Sequence, residues 1–247
     1  MNGRVVGLWR HPIKSHGREE LEAVTLQAGQ AMPWDRTWAV AHEASKADGM
    51  DWVPCANFSR GSKAPGLMAI EARLDEVTGR IRLTHPELYP LEIDPDTEGD
   101  ALIEWSRAIV PEDRAAPARV LRLSGRGFTD TPFASVSLAS VESHVAVEAA
   151  HGAPLDPRRW RMNVWFDGLP AWDEFDWIGR KVRLGEAVLQ VRERTVRCRA
   201  TTANPETGLR DEDTLGTLQR LGHQDFGVYA EVIEGGRVAL DDALSPA

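Results

Sequence analysis

Short runs rich in Val, Ile, Leu, Trp or Thr, each closed off by glycine, proline or aspartate, recur along this chain. Runs of that length and composition favour β-strands. In the first third they fall at residues 5–9, 22–26, 37–42, 67–74 and 79–84, and the last two, joined through Asp75, Glu76, Val77 and Thr78, read as a hairpin. A helix is predicted over residues 98–110, where Leu102, Trp105 and Ile109 recur at helical spacing before Pro111 stops it. Further strands are expected at 120–123, 133–137, 161–166, 181–184, 188–195 and 228–233. A helix at 140–150 ends at Gly152, and a short one at 214–221 follows an Asp213 cap. Many short strands with few helices predict a β-rich α+β protein built from barrels or sandwiches, with peripheral helices. A soft domain boundary is expected between residues 111 and 127, with 115–118 as the linker, dividing the chain into 1–115 and 116–247.

Composition narrows the function classes. With 42% hydrophobic and 27% charged residues over 247 positions, the chain has the make-up of a globular protein. Its formal charge of −9 gives no long-range attraction to a phosphate backbone, so nucleic acid is not an expected partner. The apolar stretches are shorter than the roughly 20 residues a membrane span requires, and the first nine residues lack a signal-peptide pattern, so a cytoplasmic location is expected. Cys55 and Cys198 stand far apart, with no C-x-x-C pair and no Cys/His spacing of a zinc site. Phosphate-loop, α/β-hydrolase and zincin signatures are missing too.

The segment over residues 192–211 is the most unusual in the sequence. It embeds Cys198 among Arg192, Arg194, Arg197 and Arg199 in an otherwise acidic protein. Neighbouring guanidinium groups favour a thiolate over a thiol, which would make Cys198 a nucleophile or a metal ligand. A buried, inert cysteine on a strand is the commoner fate of an isolated one. Thr201, Thr202 and the turn over 204–208 supply hydroxyls and amides beside it, as a polar pocket needs.

The string R-C-x-x-T-T-x-x-P-x-T-G from Arg197 to Gly208 resembles the C-terminal signature of the MOSC family, named after molybdenum cofactor sulfurases. His11, Pro12, Ile13, Lys14 and Ser15, followed by Asp35, Arg36, Thr37 and Trp38, resemble the β-barrel domain that precedes MOSC in one branch. Residues 129–132 and 161–164 resemble two further blocks of that branch, in family order. The branch includes the mitochondrial amidoxime-reducing components and bacterial relatives. The resemblance implies an N-terminal β-barrel-like domain over 1–115 and a MOSC β-barrel over 116–247, sharing one cleft for a molybdenum cofactor (Mo-molybdopterin). It also implies an oxidoreductase that reduces small N-hydroxylated compounds.

By that resemblance Cys198 is the thiolate ligand to molybdenum. Lys14, Ser15, Arg36, Arg161, Asn163 and Arg197 lie on the pterin and its phosphate, with Thr131 and Thr201 in the same pocket. Asp130 stands beside the metal and passes protons to a leaving water, while Asp35 orients Arg36. The segment over 54–65 departs from the family pattern, and Arg60 or Lys63 is expected to substitute there. No cysteine follows Cys198, so electrons are expected from a separate flavin or iron–sulfur protein. The alternative is a cofactor or sulfur carrier holding a persulfide on Cys198. Trp160, Trp165, Trp172 and Trp177 are read as packing residues, His11 and His16 as pocket-rim residues, and Cys55 as a loop residue without a redox role.

Overall fold

The computed structural model describes residues 2–123 and 125–247. In chain order, β1 (Gly3–Arg10), β2 (Glu19–Leu21), β3 (Ala23–Leu26) and β4 (Trp38–His42) precede β5 (Glu71–Leu74), β6 (Ile81–His85) and β7 (Leu88–Ile93). Helix α1 (Gly99–Arg107) and β8 (Pro117–Arg122) follow, then β9 (Val136–Ser140), helix α2 (Val141–His151) and β10 (Val164–Asp167). The chain continues through β11 (Lys181–Leu184), β12 (Ala187–Val196), helix α3 (Thr214–Arg220), β13 (Asp225–Glu234), β14 (Gly236–Ala239) and β15 (Ala243–Pro246).

Seven strands close into a barrel in the order β10-β9-β13-β12-β11-β15-β1, with β1 pairing back onto β10 and β2 extending the β1 edge. Closure leaves few open strand edges. Register explains the interior. Leu8 lies opposite Val164, Val164 opposite Leu138, and Leu138 opposite Val228, and all four are completely buried. Because side chains alternate along a strand, one such row fixes the inward face of each strand. The β9 and β10 strands are parallel, which demands a crossover, and α2 supplies it. Ser140 caps α2 by accepting from the Ser143 amide at 3.3 Å, and Gly152 ends it at φ 90°.

A second core lies outside the barrel. Ile13, Trp38, Leu67, Ile70, Leu83 and Leu102 pack the sheet β5-β6-β7 and α1 against β4 and β8. A third joins α2 and α3 to the barrel wall, where Trp160 stacks on Phe226 with centroids 4.2 Å apart and Trp165 lies beside them. The tryptophan-rich stretch is therefore packing.

Several local expectations change. The linker expected at 115–118 runs into β8, and Val120 pairs with Val40 of β4, so a strand beyond residue 115 completes a sheet begun before it. The apolar run 67–74 is split between a 3-10 turn, Pro65–Ala69, and β5; burial on all sides at Leu67, Met68 and Ala69 gives no periodicity to read. Arg161 is outside any strand, in the left-handed region at φ 51° where the 3-10 turn Pro157–Trp160 ends. Among the described residues, no helix is long and apolar enough to cross a membrane.

Candidate functional site

The outer face of β9 and β13 is overlaid by strand exits and entries rather than by regular ladder. The chain leaves β1 into residues 11–17, leaves β12 into 197–200, and enters β10 through 157–163. These turns surround a cavity of about 140 Å³, whose wall includes Lys14, Ser15, Arg36, Asp130, Arg161, Arg197 and Cys198. The lid side comes from Cys55, Arg60 and Ser62, and the floor from Ser137 of β9 and Tyr229 of β13, which lie opposite one another in the ladder.

Three wall residues, Ser15 (φ 64°), Arg36 (φ 53°) and Arg161 (φ 51°), hold left-handed backbone, half of the six non-glycine residues that do so among those described. Such conformations cost free energy and persist where the surroundings impose them. At Arg36 the surroundings are visible. Its amide donates to the His11 carbonyl at 2.7 Å, its carbonyl accepts from the Phe128 amide at 2.7 Å, and its guanidinium pairs with Asp35. Burial pushes the Asp35 carboxyl up, but Arg36 and the His11 donors outweigh it and hold it below the usual carboxylate range. Asp35 thus orients Arg36, and the second guanidinium nitrogen reaches the Arg161 carbonyl at 3.2 Å.

Lys14 is 3% exposed. Its ammonium donates to the Phe128 carbonyl at 2.7 Å and to Asp130 Oδ1 at 2.5 Å, which leaves one N–H without a partner among the described residues. Asp130 sits at the mouth with 44% of its side chain exposed. Its partial desolvation is overridden by Lys14 and Arg36, which draw its pKa down to about 2. Arg161 donates to the Gly17 carbonyl at 3.0 Å, and burial with Arg36 and Arg18 nearby lowers its pKa to about 9. Arg197 donates to the Trp160 carbonyl at 2.5 Å and lies over that ring, 5.7 Å from its centroid. Arg161 Nη1 and Arg197 Nε are buried with no hydrogen-bond partner among the described residues.

Cys198 is a free, exposed thiol on extended backbone, φ −123° and ψ 176°. It immediately precedes a 3-10 turn, Arg199–Thr202, whose Thr201 amide and hydroxyl both donate to the Cys198 carbonyl at 3.1 Å.

Three residues expected in the pocket are not in its wall. Thr201 is fully buried and ties its hydroxyl to Thr214 at 2.7 Å, anchoring the cysteine turn to α3. Asn163 accepts from the Ser137 amide and hydroxyl at 3.1 and 2.8 Å and donates to the Trp9 carbonyl, stapling β1 and β9 together. Thr131 donates to the Phe133 carbonyl at 2.7 Å and pairs with Ser135. Each therefore supports backbone that carries a wall residue. His11 and His16 are also not rim residues. Both are buried, and burial lowers their pKa values to about 3 and about 4, so both are neutral.

Sequence reasoning missed Tyr229, Arg159 and Cys55, all of which line the cavity. Arg60 Nη1 lies 3.2 Å from the Cys55 sulfur, so the loop over 54–65 does contribute Arg60 to the wall, whereas Lys63 lines an adjacent cavity. Tyr229 is held protonated, since burial and then Asp130 raise its pKa. Its only sequence signal is alternation along β13.

The wall thus gathers six cations, Lys14, Arg36, Arg60, Arg159, Arg161 and Arg197, with one carboxylate and two thiols. Forked guanidinium donors from several directions suit a phosphate or a multi-oxygen anion, and a thiolate suits a soft metal. The two histidines buried behind this wall, at 0% and 1% exposure, add no charge to it.

Comparison with known proteins agrees with this layout. The MOSC N-terminal beta barrel domain matches residues 2–114 and the MOSC domain matches residues 126–245. Among solved structures, the YuaD protein of Bacillus subtilis is 15% identical, covering 99% of this chain and 94% of that one with a TM-score of 0.49. YiiM of Geobacillus stearothermophilus and YiiM of Escherichia coli are each 20% identical over 45% of this chain and 53% of theirs, with TM-scores of 0.34 and 0.32. No curated protein matches the chain. On the two family matches, which between them run from residue 2 to residue 245, the chain belongs to the MOSC family, with an N-terminal MOSC β-barrel domain ahead of its MOSC domain.

Proposed function

We propose that this protein binds a molybdenum–pterin cofactor in the cavity lined by Cys198 and reduces N-hydroxylated compounds in the cytoplasm with electrons from a separate donor protein. The observation that carries the reading is the convergence of the Cys198 thiol with six cations around one cavity. The residues fit the group on chemical grounds. Two guanidinium nitrogens, Arg161 Nη1 and Arg197 Nε, are buried without partners among the described residues, and anionic oxygens would satisfy them. Among the described residues no group of three or more His, Cys, Asp or Glu converges as a protein-only metal site. A metal here would take Cys198 from the protein and its remaining ligands from an organic group.

In this reading Lys14, Ser15, Arg36, Arg161 and Arg197 hold the pterin and its phosphate, and Cys198 holds the metal. When bound, the cofactor supplies a two-electron redox centre. Overall, an N-hydroxy compound takes up two electrons and two protons and leaves as the N–H compound and water. The chain's part is to manage those protons. Asp130, ionised and open to solvent at the mouth, accepts hydrogen bonds from water and orders the water chain along which protons reach the site, and Lys14 fixes its orientation. Tyr229 offers a neutral O–H donor from the floor. Thr131, Asn163 and Thr201 act as positioning residues. The division at 115/116 separates two sequence modules that share this one cleft.

Protein produced in cells that synthesise molybdopterin is expected to turn over N-hydroxylated amidines or purines when given a chemical reductant. Cys198→Ser is expected to lose that activity while retaining much of its pterin. Lys14→Ala should lower cofactor loading more than activity per loaded site. Full activity in the serine variant would reject the reading. A second reading, a cofactor or sulfur carrier, draws on the solvent exposure of Cys198. A persulfide on Cys198 by mass spectrometry, in molybdenum-free protein with no reductase activity, would replace the first reading with this one.

A further inference from the structure

The cations of this site do not stop at the cavity wall. Two loops are clasped above it. Arg210 reaches the Ser62 carbonyl at 2.9 Å, and Gly208, at φ 71°, lies so close to Gly66 that a Cβ there would come within 2.6 Å of the Gly66 Cα. A Cβ at Gly61 would stand 3.5 Å from Ala200. This clasp sets Arg60 and Lys63 of one loop beside Arg199 and Arg210 of the other. Arg114 joins them, lining a cavity with Arg60 and Lys63.

Arg60, Lys63, Arg199 and Arg210 form no ion pair among the described residues. Arg210 is spent on neutral oxygens of Ser62, Arg199 and Thr202, and burial together with Arg199 and Arg114 holds its pKa below the ordinary arginine value. Arg114 alone has a partner, Asp113, at 3.3 Å. Like charges left together at a surface cost stability unless something anionic meets them. They do so in a chain with nine more acidic than basic residues, beside the Cys198 cavity, whose wall includes Arg60. Leu209, 67% exposed, adds an apolar contact within the patch.

We propose that Arg60, Lys63, Arg114, Arg199 and Arg210 form the docking surface for the acidic face of a small electron-carrier protein. The proposal rests on the reductase reading, which requires a carrier to deliver two electrons per substrate. A small patch of five cations, of which only Arg114 has an ion-pair partner among the described residues, with one apolar contact suits a brief encounter, in which charge sets the association rate and orientation. The reduced carrier gives up its electrons to the site and departs oxidised, and the substrate takes both electrons with two protons from solvent.

The test uses the full chain and an acidic flavodoxin as the probe. Binding is measured calorimetrically, so it does not depend on cofactor loading. The parent protein is expected to bind flavodoxin at low salt and to lose most of that affinity by about 0.2 M salt, where screening is short-ranged. The double variant Lys63→Glu, Arg114→Glu, at two exposed positions outside the cofactor wall, should bind at least about tenfold more weakly. Its turnover with reduced methyl viologen, which needs no docking, should be unchanged. Flavodoxin affinity that is insensitive to salt, or equal in parent and variant, would overturn the docking surface. So would tighter binding of a single-stranded oligonucleotide than of flavodoxin, which would mark a general polyanion patch. Charge-dependent flavodoxin binding without any methyl viologen turnover would instead sink the reductase reading and leave the surface standing.

Discussion

At the scale of single residues, the chain separates groups that meet a ligand from groups that hold those groups still. Cys198, Lys14, Arg36, Arg161, Arg197 and Asp130 were legible because each sits in a short string whose residue types already demand a cation, a thiol or a carboxylate. Thr131, Asn163 and Thr201 stand in the same strings, yet their polar atoms are consumed by Phe133, Ser137 and Thr214. A string gives residue types, and only packing tells a wall from its buttress. Tyr229 and Cys55 reach the cavity from positions outside any such string, and Arg159 from two residues ahead of the string that begins at Arg161. Glu174 is a buried group outside the site. It is fully buried, and among the described residues only the Ser143 side chain bonds its carboxylate. Burial raises its pKa from 4.5 to about 7. The folded protein therefore binds this proton more tightly than the unfolded chain, and stability falls as pH rises from about 4.5 to about 7, then levels off. Glu174→Gln should stabilise the protein by about 1–3 kcal/mol at pH 8 and have little effect at pH 4, read as the difference in Tm at the two pH values. An equal shift at both would show that the carboxyl is not held neutral.

At the scale of elements, the site depends on turns pinned in unusual backbone conformations. Gly208 is the clearest case, since its positive φ and its contact with Gly66 both exclude a side chain. Gly208→Ala should cost about 1–3 kcal/mol through strain alone. It should also part the two loops, so that cofactor loading falls further than the loss of stability accounts for. Wild-type loading in a stable alanine variant would show that the clasp does not shape the cavity. The long strands β12 and β13 and the helices α2 and α3 were legible from periodicity and caps. The short strands β2, β7, β14 and β15 were not: each draws its stability from a partner remote in sequence, and the proline at the end of β15 argues locally against a strand.

At the scale of the whole molecule, β1 is what joins the two sequence modules. It belongs to the N-terminal match, but it closes a barrel whose other six strands all follow residue 135. A fragment of residues 116–247 would expose the edges of β10 and β15 that β1 covers, along with the interior row containing Val164 and Leu138. Such a fragment should show no cooperative unfolding transition by calorimetry, and co-expression with residues 1–115 should restore one. A fragment that melts cooperatively alone would make the division at 115/116 a true folding boundary. The whole-chain arrangement also explains why the site could be anticipated only in pieces, since Lys14 and Cys198 share a wall only because β1 and β12 belong to one closed sheet. The most direct test of the central claim is the molybdenum and pterin content of protein purified from cells that make molybdopterin, for the parent and for Cys198→Ser. The account predicts matching molybdenum and pterin in the parent, with molybdenum lost preferentially from the serine variant. A parent protein with neither metal nor pterin, from cells that load other molybdenum proteins fully, would contradict it.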